Sequence, residues 1–352
     1  MTTNKITHRT TLPPLFIHAT KTSHRRKEFR DGANYTSRLY RVRMAEGERA
    51  LRMFAKVAAL EEKMRSQMAK IYEELQEEHE VPNQHRLSFP KFYGSNPKEY
   101  EETLVLEDLM YAGYESYDRF KSITWLFSRR AVEELAKMHA LSFSYKKCRP
   151  DDFKQVVGKL KFEYKLEHND MKTYYSRIIN RAVDAVQEKH KHLVAEYTMT
   201  TLSHIYNKMI LLQDGSVDIK IVDLQTLQGG SPVTDLLYFI FTGSDEKFRA
   251  EYYDKLIDHY YAELSAALKR LHLNPDEIYS RQHFDQELQE KLPFGLALAV
   301  FTLPVITVDT DKAPKVNESM EITDFSVSNT SALYKERLNG VINDYVRWGV
   351  LK

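Results

Sequence analysis

The run Leu292–Val308, LPFGLALAVFTLPVITV, is 17 residues long and carries no charge. Such a stretch either crosses a bilayer or is enclosed on every side by other apolar elements. It falls short of the ~20 residues a spanning helix needs, and Pro293, Gly295 and Pro304 interrupt it. The expectation is a buried core helix and no membrane span. A helix of that kind needs a helical domain large enough to surround it. With 352 residues, 42% of them apolar and 22 of them tyrosine, the chain can supply one. That length exceeds what one small core usually supports, so two lobes or domains are expected.

Charge excludes one class of function. Charged residues make up 29% of the chain but cancel to a net +1, so whole-chain binding to a polyanion has no electrostatic basis and no nucleic-acid partner is expected. The single cysteine, Cys148, rules out an internal disulfide and fits a reducing, cytoplasmic setting. The first residues lack a basic segment followed by a continuous apolar run, so they do not read as a secretory signal. Residues 1–30 read as a polar arm, basic towards its end (KTSHRRKEFR).

Periodicity then divides the chain. Arg38–Met44 alternates apolar and polar residues, and Leu51–Ala59 follows the turn marked by Gly47, which predicts a hairpin. Glu61–Glu80 has no Gly or Pro and places Met64, Met68, Ile71 and Leu75 at helical spacing. Phe89–Tyr93 and Glu101–Leu106 read as two further strands. The order strand, strand, helix, strand, strand ends near residue 108. Beyond it the patterns are helical, beginning with Ser128–Phe143, for which Ser128 is the expected cap. More helix is expected within Phe153–Tyr197. Met209–Leu212 and Ile219–Leu224 flank Gln213-Asp-Gly-Ser as a hairpin. Helices are then expected at Val233–Thr242, Lys247–Leu271, Asp276–Glu290 and Ala332–Trp348, the last ending at Gly349. Residues 309–331 read as a polar loop. The domain reading is an arm over 1–30, an N-lobe over 31–108 and a helical C-lobe over 109–352.

Short motifs follow this order. They are GANYTS at Gly32–Ser37, Ala55-Lys56-Val57 on the second strand, LVLEDL at Leu104–Leu109 and LAKMHALS at Leu135–Ser142. After them come VDLQ at Val222–Gln225, GSPVTDLLY at Gly230–Tyr238 and RLNGVINDYVRWGVL at Arg337–Leu351. In this order and spacing the chain resembles the ecdysteroid kinase-like (CHK kinase-like) family of insect small-molecule kinases, over about Gly32 to Leu351. The family is similar to choline and aminoglycoside kinases. The resemblance implies an α+β, protein-kinase-like bilobed fold with a mixed α/β N-lobe, an antiparallel sheet and a mainly helical C-lobe. It implies ATP and Mg²⁺ as cofactors, and phosphorylation of a hydroxyl on a small molecule such as a steroid, lipid or xenobiotic. It also assigns positions. Gly32, Asn34 and Ser37 would lie against nucleotide phosphates, which Lys56 would neutralise. Glu107 belongs to the interlobe hinge, Asn207 to the nucleotide site, and Asp223 would ligate the metal.

The departures are equally specific. Tyr197–Leu212, YTMTTLSHIYNKMILL, contains no Asp or Glu. TLSHIYNK at Thr201–Lys208 stands where the family has HGDxWxNN. Ser203 takes the position of the catalytic Asp, Asn207 survives, and Lys208 takes the second, metal-binding Asn. Sliding the alignment to put His204 on the family's His places Tyr206 on the Asp, and no shift restores a carboxylate. The family's loop Asp is Ala33 here. The helix glutamate that holds the lysine falls at Met68, with Glu61 or Glu62 as substitutes. Ser203, His204 and Lys208 are thus degenerate catalytic positions, and no intact catalytic set remains. Three readings follow: a pseudokinase that keeps a nucleotide or small-molecule cleft, an active phosphotransferase with a rearranged site, or a carrier or scaffold that binds no nucleotide. His139, on an apolar helix face, reads as a satisfied structural histidine, and Asp235 as a cap for the helix at Leu236.

Overall fold

Alternating apolar residues over Ser37–Glu46 (β1) and Arg49–Ala58 (β2) give two antiparallel strands, with Glu46 opposite Arg49 across a two-residue connection. The structure is a computed structural model. It describes residues 37–46, 49–58, 65–96, 103–115, 117–159, 168–198, 230–309 and 331–352, with Lys312 and Val327. Met53 and Ala55, two apart on β2, are buried, as a strand with one covered face requires. β3 (Phe92–Asn96) and β4 (Thr103–Glu107) complete a four-stranded antiparallel sheet of order β1-β2-β4-β3, with an irregularity between Phe92 and Gly94. The expected third strand therefore lies about one turn of chain later than Phe89–Tyr93.

Between the hairpins runs α1 (Arg65–Glu78), which buries Met68, Ile71, Tyr72 and Leu75 along one face. The order of elements matches the sequence reading, and the described residues after β4 form helices without further strands. The 24-residue α2 (Trp125–Cys148) starts one turn earlier than expected. Its cap is Thr124, whose hydroxyl accepts from Phe127 N at 3.3 Å. Ser128 lies inside the helix, fully buried, with its hydroxyl donating to Trp125 O. α3 (Pro150–Lys159), α4 (His168–Ala185) and α5 (Lys191–Tyr197) follow.

The remaining helices form the largest part of the core. α6 (Pro232–Gly243) has Ser231 as its cap and Pro232 at its first position, where a missing N–H does no harm. α7 (Glu246–Arg270) is capped by Asp245, which accepts from Phe248 N at 2.7 Å. A short α8 (Pro275–Tyr279) leads into α9 (Arg281–Ile306), capped by Ser280. The expected helix Asp276–Glu290 and the apolar run thus become one short helix and one continuous long one. α10 (Ala332–Arg347) closes the chain, with Gly349 at φ +70 just past its end, the left-handed conformation that glycine tolerates.

α9 is where the apolar run goes. Leu296, Ala297, Ala299, Val300 and Leu303 are all fully or almost fully buried. Among the described residues this segment is long and apolar enough to cross a membrane, yet 61% of its most apolar window is buried in the fold. The helix passes through Pro293 and Pro304, and tyrosines attend the first interruption. Tyr345 donates to Leu292 O at 2.6 Å and Tyr197 donates to Pro293 O. Gly295 permits that approach, because a Cβ there would lie 2.5 Å from the Tyr345 hydroxyl and 2.6 Å from the Phe241 ring. At the far end Arg119, from the segment before α2, donates to Ile306 O and Val308 O at 2.5 and 2.8 Å. A guanidinium at a helix C-terminus satisfies orphan carbonyls and complements the helix dipole.

One ion pair is wholly enclosed. Arg249 on α7 donates through Nε to Asp344 on α10 at 2.5 Å, and neither side chain has any exposed surface. The same guanidinium donates to Ser244 O at 2.8 Å, and Arg347 donates to the other Asp344 oxygen. Removing one partner leaves a buried charge uncompensated, whereas replacing both by apolar groups does not. We therefore expect Asp344→Ala to lower the free energy of unfolding by about 3–5 kcal/mol. Arg249→Met/Asp344→Leu should recover most of that loss in urea titrations of the two variants.

The core is also rich in phenols. Burial pushes Tyr72 up to about 12, and it raises Tyr145, Tyr175, Tyr197, Tyr253 and Tyr279 as well. A phenol whose folded pKa lies above its unfolded value contributes stability that is intact below about pH 10 and is lost as pH rises through the folded value. Thermal unfolding should accordingly be little changed between pH 8 and 9 and fall steeply from pH 10 to 12. Absorbance at ~295 nm, which follows tyrosinate, should rise together with unfolding.

Candidate functional site

The sheet fixes the backbone positions of three residues in the proposed nucleotide site. Ser37 opens β1 opposite Ala58, so the GANYTS segment feeds straight into the edge strand. Lys56 lies on β2, an inner strand, paired with Leu39 on one side and Leu104 on the other. Glu107 ends β4 opposite Met53, three residue pairs along from Lys56. Its carboxylate accepts from Lys91 N at 3.2 Å and its N–H donates to Lys91 O at 2.8 Å, which ties the end of β4 to the entry of β3.

After Glu107 the chain makes a tight turn. Asp108 is buried and accepts from Tyr111 N at 3.2 Å, and Tyr114 N donates to Leu109 O at 2.9 Å. Gly113 has φ +93, a left-handed conformation that glycine adopts at little cost.

Met68 settles one expectation about α1. The position where the resemblance puts a lysine-holding glutamate is a methionine only 2% exposed, part of the main core. Of the carboxylates further along α1, Glu74 and Glu78 receive hydrogen bonds from Arg149 at 3.0 and 2.5 Å. Tyr72 makes the other tie between α1 and α2, sharing a 2.5 Å hydrogen bond with Ser142 at the end of LAKMHALS. Glu61 and Glu62 lie outside the described residues.

The same α2 motif carries His139, and here the helices converge. Its Nδ1 is 2.7 Å from the Tyr260 hydroxyl on α7, and its Nε2 is 3.1 Å from Asp235 Oδ2 on α6. Burial raises Tyr260 well above the ordinary tyrosine range, and because a carboxylate at Nε2 can only accept, Nδ1 of the neutral imidazole is the nitrogen that accepts from the Tyr260 hydroxyl. Nε2 then carries the hydrogen and donates to Asp235. With both ring nitrogens engaged, His139 serves as the structural histidine the sequence suggested. Asp235 does not cap α6, because Ser231 does. It lies one turn inside, where its carboxylate reaches across to α2.

Gly32, Asn34, Ser203, His204, Asn207, Lys208 and Asp223 lie outside the described residues, as does the hairpin expected around Gln213. The positions that would reveal metal binding and the fate of the catalytic loop are therefore carried by sequence.

The ecdysteroid kinase-like family model matches residues 31–214 and 203–273. The chain belongs to the ecdysteroid kinase-like family. No curated protein and no solved structure matched. Membership makes the chain a relative of small-molecule kinases with an α+β, kinase-like fold, a family that in general uses ATP and Mg²⁺. The two matched stretches overlap on 203–214, which takes in the acid-free segment from Ser203 to Leu212 and continues to Asp214. The described residues fit a nucleotide in part. Lys56 is on the strand where a phosphate-neutralising lysine belongs, whereas Met68 supplies no carboxylate to hold it.

Sequence reasoning found His139 but missed its partners. The signal was present: Asp235 stands one turn into an apolar helix, and Tyr260 lies on the buried face of α7. His139→Ala should destabilise the protein by about 1–3 kcal/mol, because Asp235 and Tyr260 lose their partner. Asp235→Asn should cost less, since the amide oxygen still accepts from Nε2. Chemical denaturation of both variants measures the difference.

Proposed function

We propose that this family member is a pseudokinase, in which a nucleotide and small-molecule cleft persists and phosphotransfer is lost. One observation carries the reading: Tyr197–Leu212, which contains the position of the family's catalytic aspartate, holds no carboxylate. A positioned general base contributes roughly 10²–10⁴-fold in such reactions. Ser203, at that position, is a poor base at neutral pH. Lys208 compounds the loss, since a cation stands where a neutral amide would help hold Mg²⁺. The buried Met68 adds support, because the ion pair that orders the phosphate lysine in active kinases has no partner there.

The rest of the reading follows the family. The sheet with α1 forms an N-lobe and the helices after residue 108 form a C-lobe. The ligand is a small hydroxylated molecule, a steroid, lipid or xenobiotic, held between them in the cytoplasm. Lys56 and Asp223 remain to contact nucleotide and metal.

The test is a phosphotransfer assay with ATP, Mg²⁺ and a panel of hydroxylated acceptors, run beside thermal shifts with ATP. We expect no turnover above background, and a modest ATP-induced rise in Tm that falls in Lys56→Ala. Steady Mg²⁺-dependent phosphorylation that disappears in Asp223→Ala would overturn the proposal in favour of a rearranged active site using His204. Absence of any ATP shift would favour a carrier. Ser203→Asp/Lys208→Asn should bind Mg²⁺-ATP more tightly than the natural chain.

A further inference from the structure

Away from the nucleotide positions, α2 and α7 bring three metal-binding side chains together. Glu133 projects from α2, and His259 and Glu263 lie one helical turn apart on α7. One ligand atom from each lies within 4.8 Å of the other two. His259 Nε2 is 3.0 Å from Glu133 Oε1. Glu133 is buried, while His259 and Glu263 are half-buried, so the group opens to solvent on one side.

Charge bookkeeping within the group is uneven. Arg130 donates to Glu133 Oε2 at 2.5 Å, and Arg129 approaches Oε1 at 3.6 Å. Those contacts account for Glu133. They leave Glu263, which makes no hydrogen bond or ion pair among the described residues although it faces another carboxylate and an imidazole. Two carboxylates and an imidazole converging at this distance are donor types that a divalent cation takes. Arg130 then serves to orient Glu133, presenting Oε1 to the ion while holding Oε2.

We infer that Glu133, His259 and Glu263 form a binding site for a Zn²⁺-class divalent cation that clamps α2 to α7. The mixed nitrogen and oxygen donors select this class over Mg²⁺ or Ca²⁺, which favour all-oxygen shells. Three protein ligands leave a fourth position for water on the exposed side. Lys255, whose ammonium lies over the Trp125 ring at 4.3 Å, and the two arginines are the nearby cations that temper affinity. The site does not depend on the phosphotransfer reading.

Trp125 provides a reporter, since its ring is edge-on to His259 with centroids 6.2 Å apart. The chain has two tryptophans, so Trp348→Phe leaves Trp125 as the sole tryptophan, excited selectively at the red edge where tyrosine does not absorb. Tag-free full-length protein, stripped with chelator, would be titrated with Co²⁺ and then Zn²⁺. We expect saturable quenching by Co²⁺ at one ion per chain, Co²⁺ absorption bands of a low-coordinate site, and reversal of both by Zn²⁺. Glu263→Gln, at a half-exposed position, should weaken Zn²⁺ binding at least ~10-fold without altering the unliganded Tm, and His259→Ala should abolish the quenching. Quenching that does not saturate, or a Zn²⁺ affinity equal in Glu263→Gln and the parent, would overturn the site.

Discussion

The buried pair of Arg249 and Asp344 is the constraint around which the helical part of this protein is arranged. It joins α7 to α10, and through Ser244 O it also fixes the connection between α6 and α7. Two charges removed from water recover their desolvation only when geometry is good, and here Nε and Nη1 of Arg249 are engaged while Nη2 is buried without a hydrogen-bond partner among the described residues. Their positions therefore dictate the distance between three helices. Gly340 shows how closely: a Cβ there would come within 2.9 Å of Glu246 and 3.3 Å of the Arg249 guanidinium. The aromatic set of Phe241, Tyr253, Tyr345 and Trp348 packs next to this pair, with ring centroids 4.9–6.4 Å apart. α9 lies against that aromatic layer.

Much of this arrangement can be read from the chain because it rests on periodicity. Met68, Ile71 and Leu75 announce α1, and the uncharged run from Leu292 announces a helix enclosed by others. What periodicity cannot convey is where a hydrogen bond ends an element. Ser128 has the chemistry of a cap, but Thr124 is placed where its hydroxyl meets Phe127 N, so the helix begins there. Pro293 suggests a boundary because it removes a donor. The helix nevertheless passes through it, and the phenols of Tyr197 and Tyr345 that reach the carbonyls of Leu292 and Pro293 beside Gly295 come from distant parts of the chain.

The same division holds for the site. The sequence pattern puts Lys56 on the second strand and Glu107 just after the fourth, and both lie on strands of the sheet, though that β2 is an inner strand is visible only in the structure. The loss of the catalytic carboxylate is legible without coordinates, because composition alone excludes it from Tyr197–Leu212. The links from His139 to Asp235 and Tyr260 span 96 and 121 residues, so an acid one turn into an apolar helix and a phenol on a buried face mark groups in need of partners without saying which residue each one meets.

Arg119 has a mechanical meaning beyond capping. Its guanidinium fastens the segment that leaves the sheet to the last carbonyls of the most deeply buried helix. A second fastening joins α1 to α2 through Tyr72 and Ser142. Any displacement of the stretch between β4 and α2 therefore has to break two charge-assisted hydrogen bonds at the end of α9.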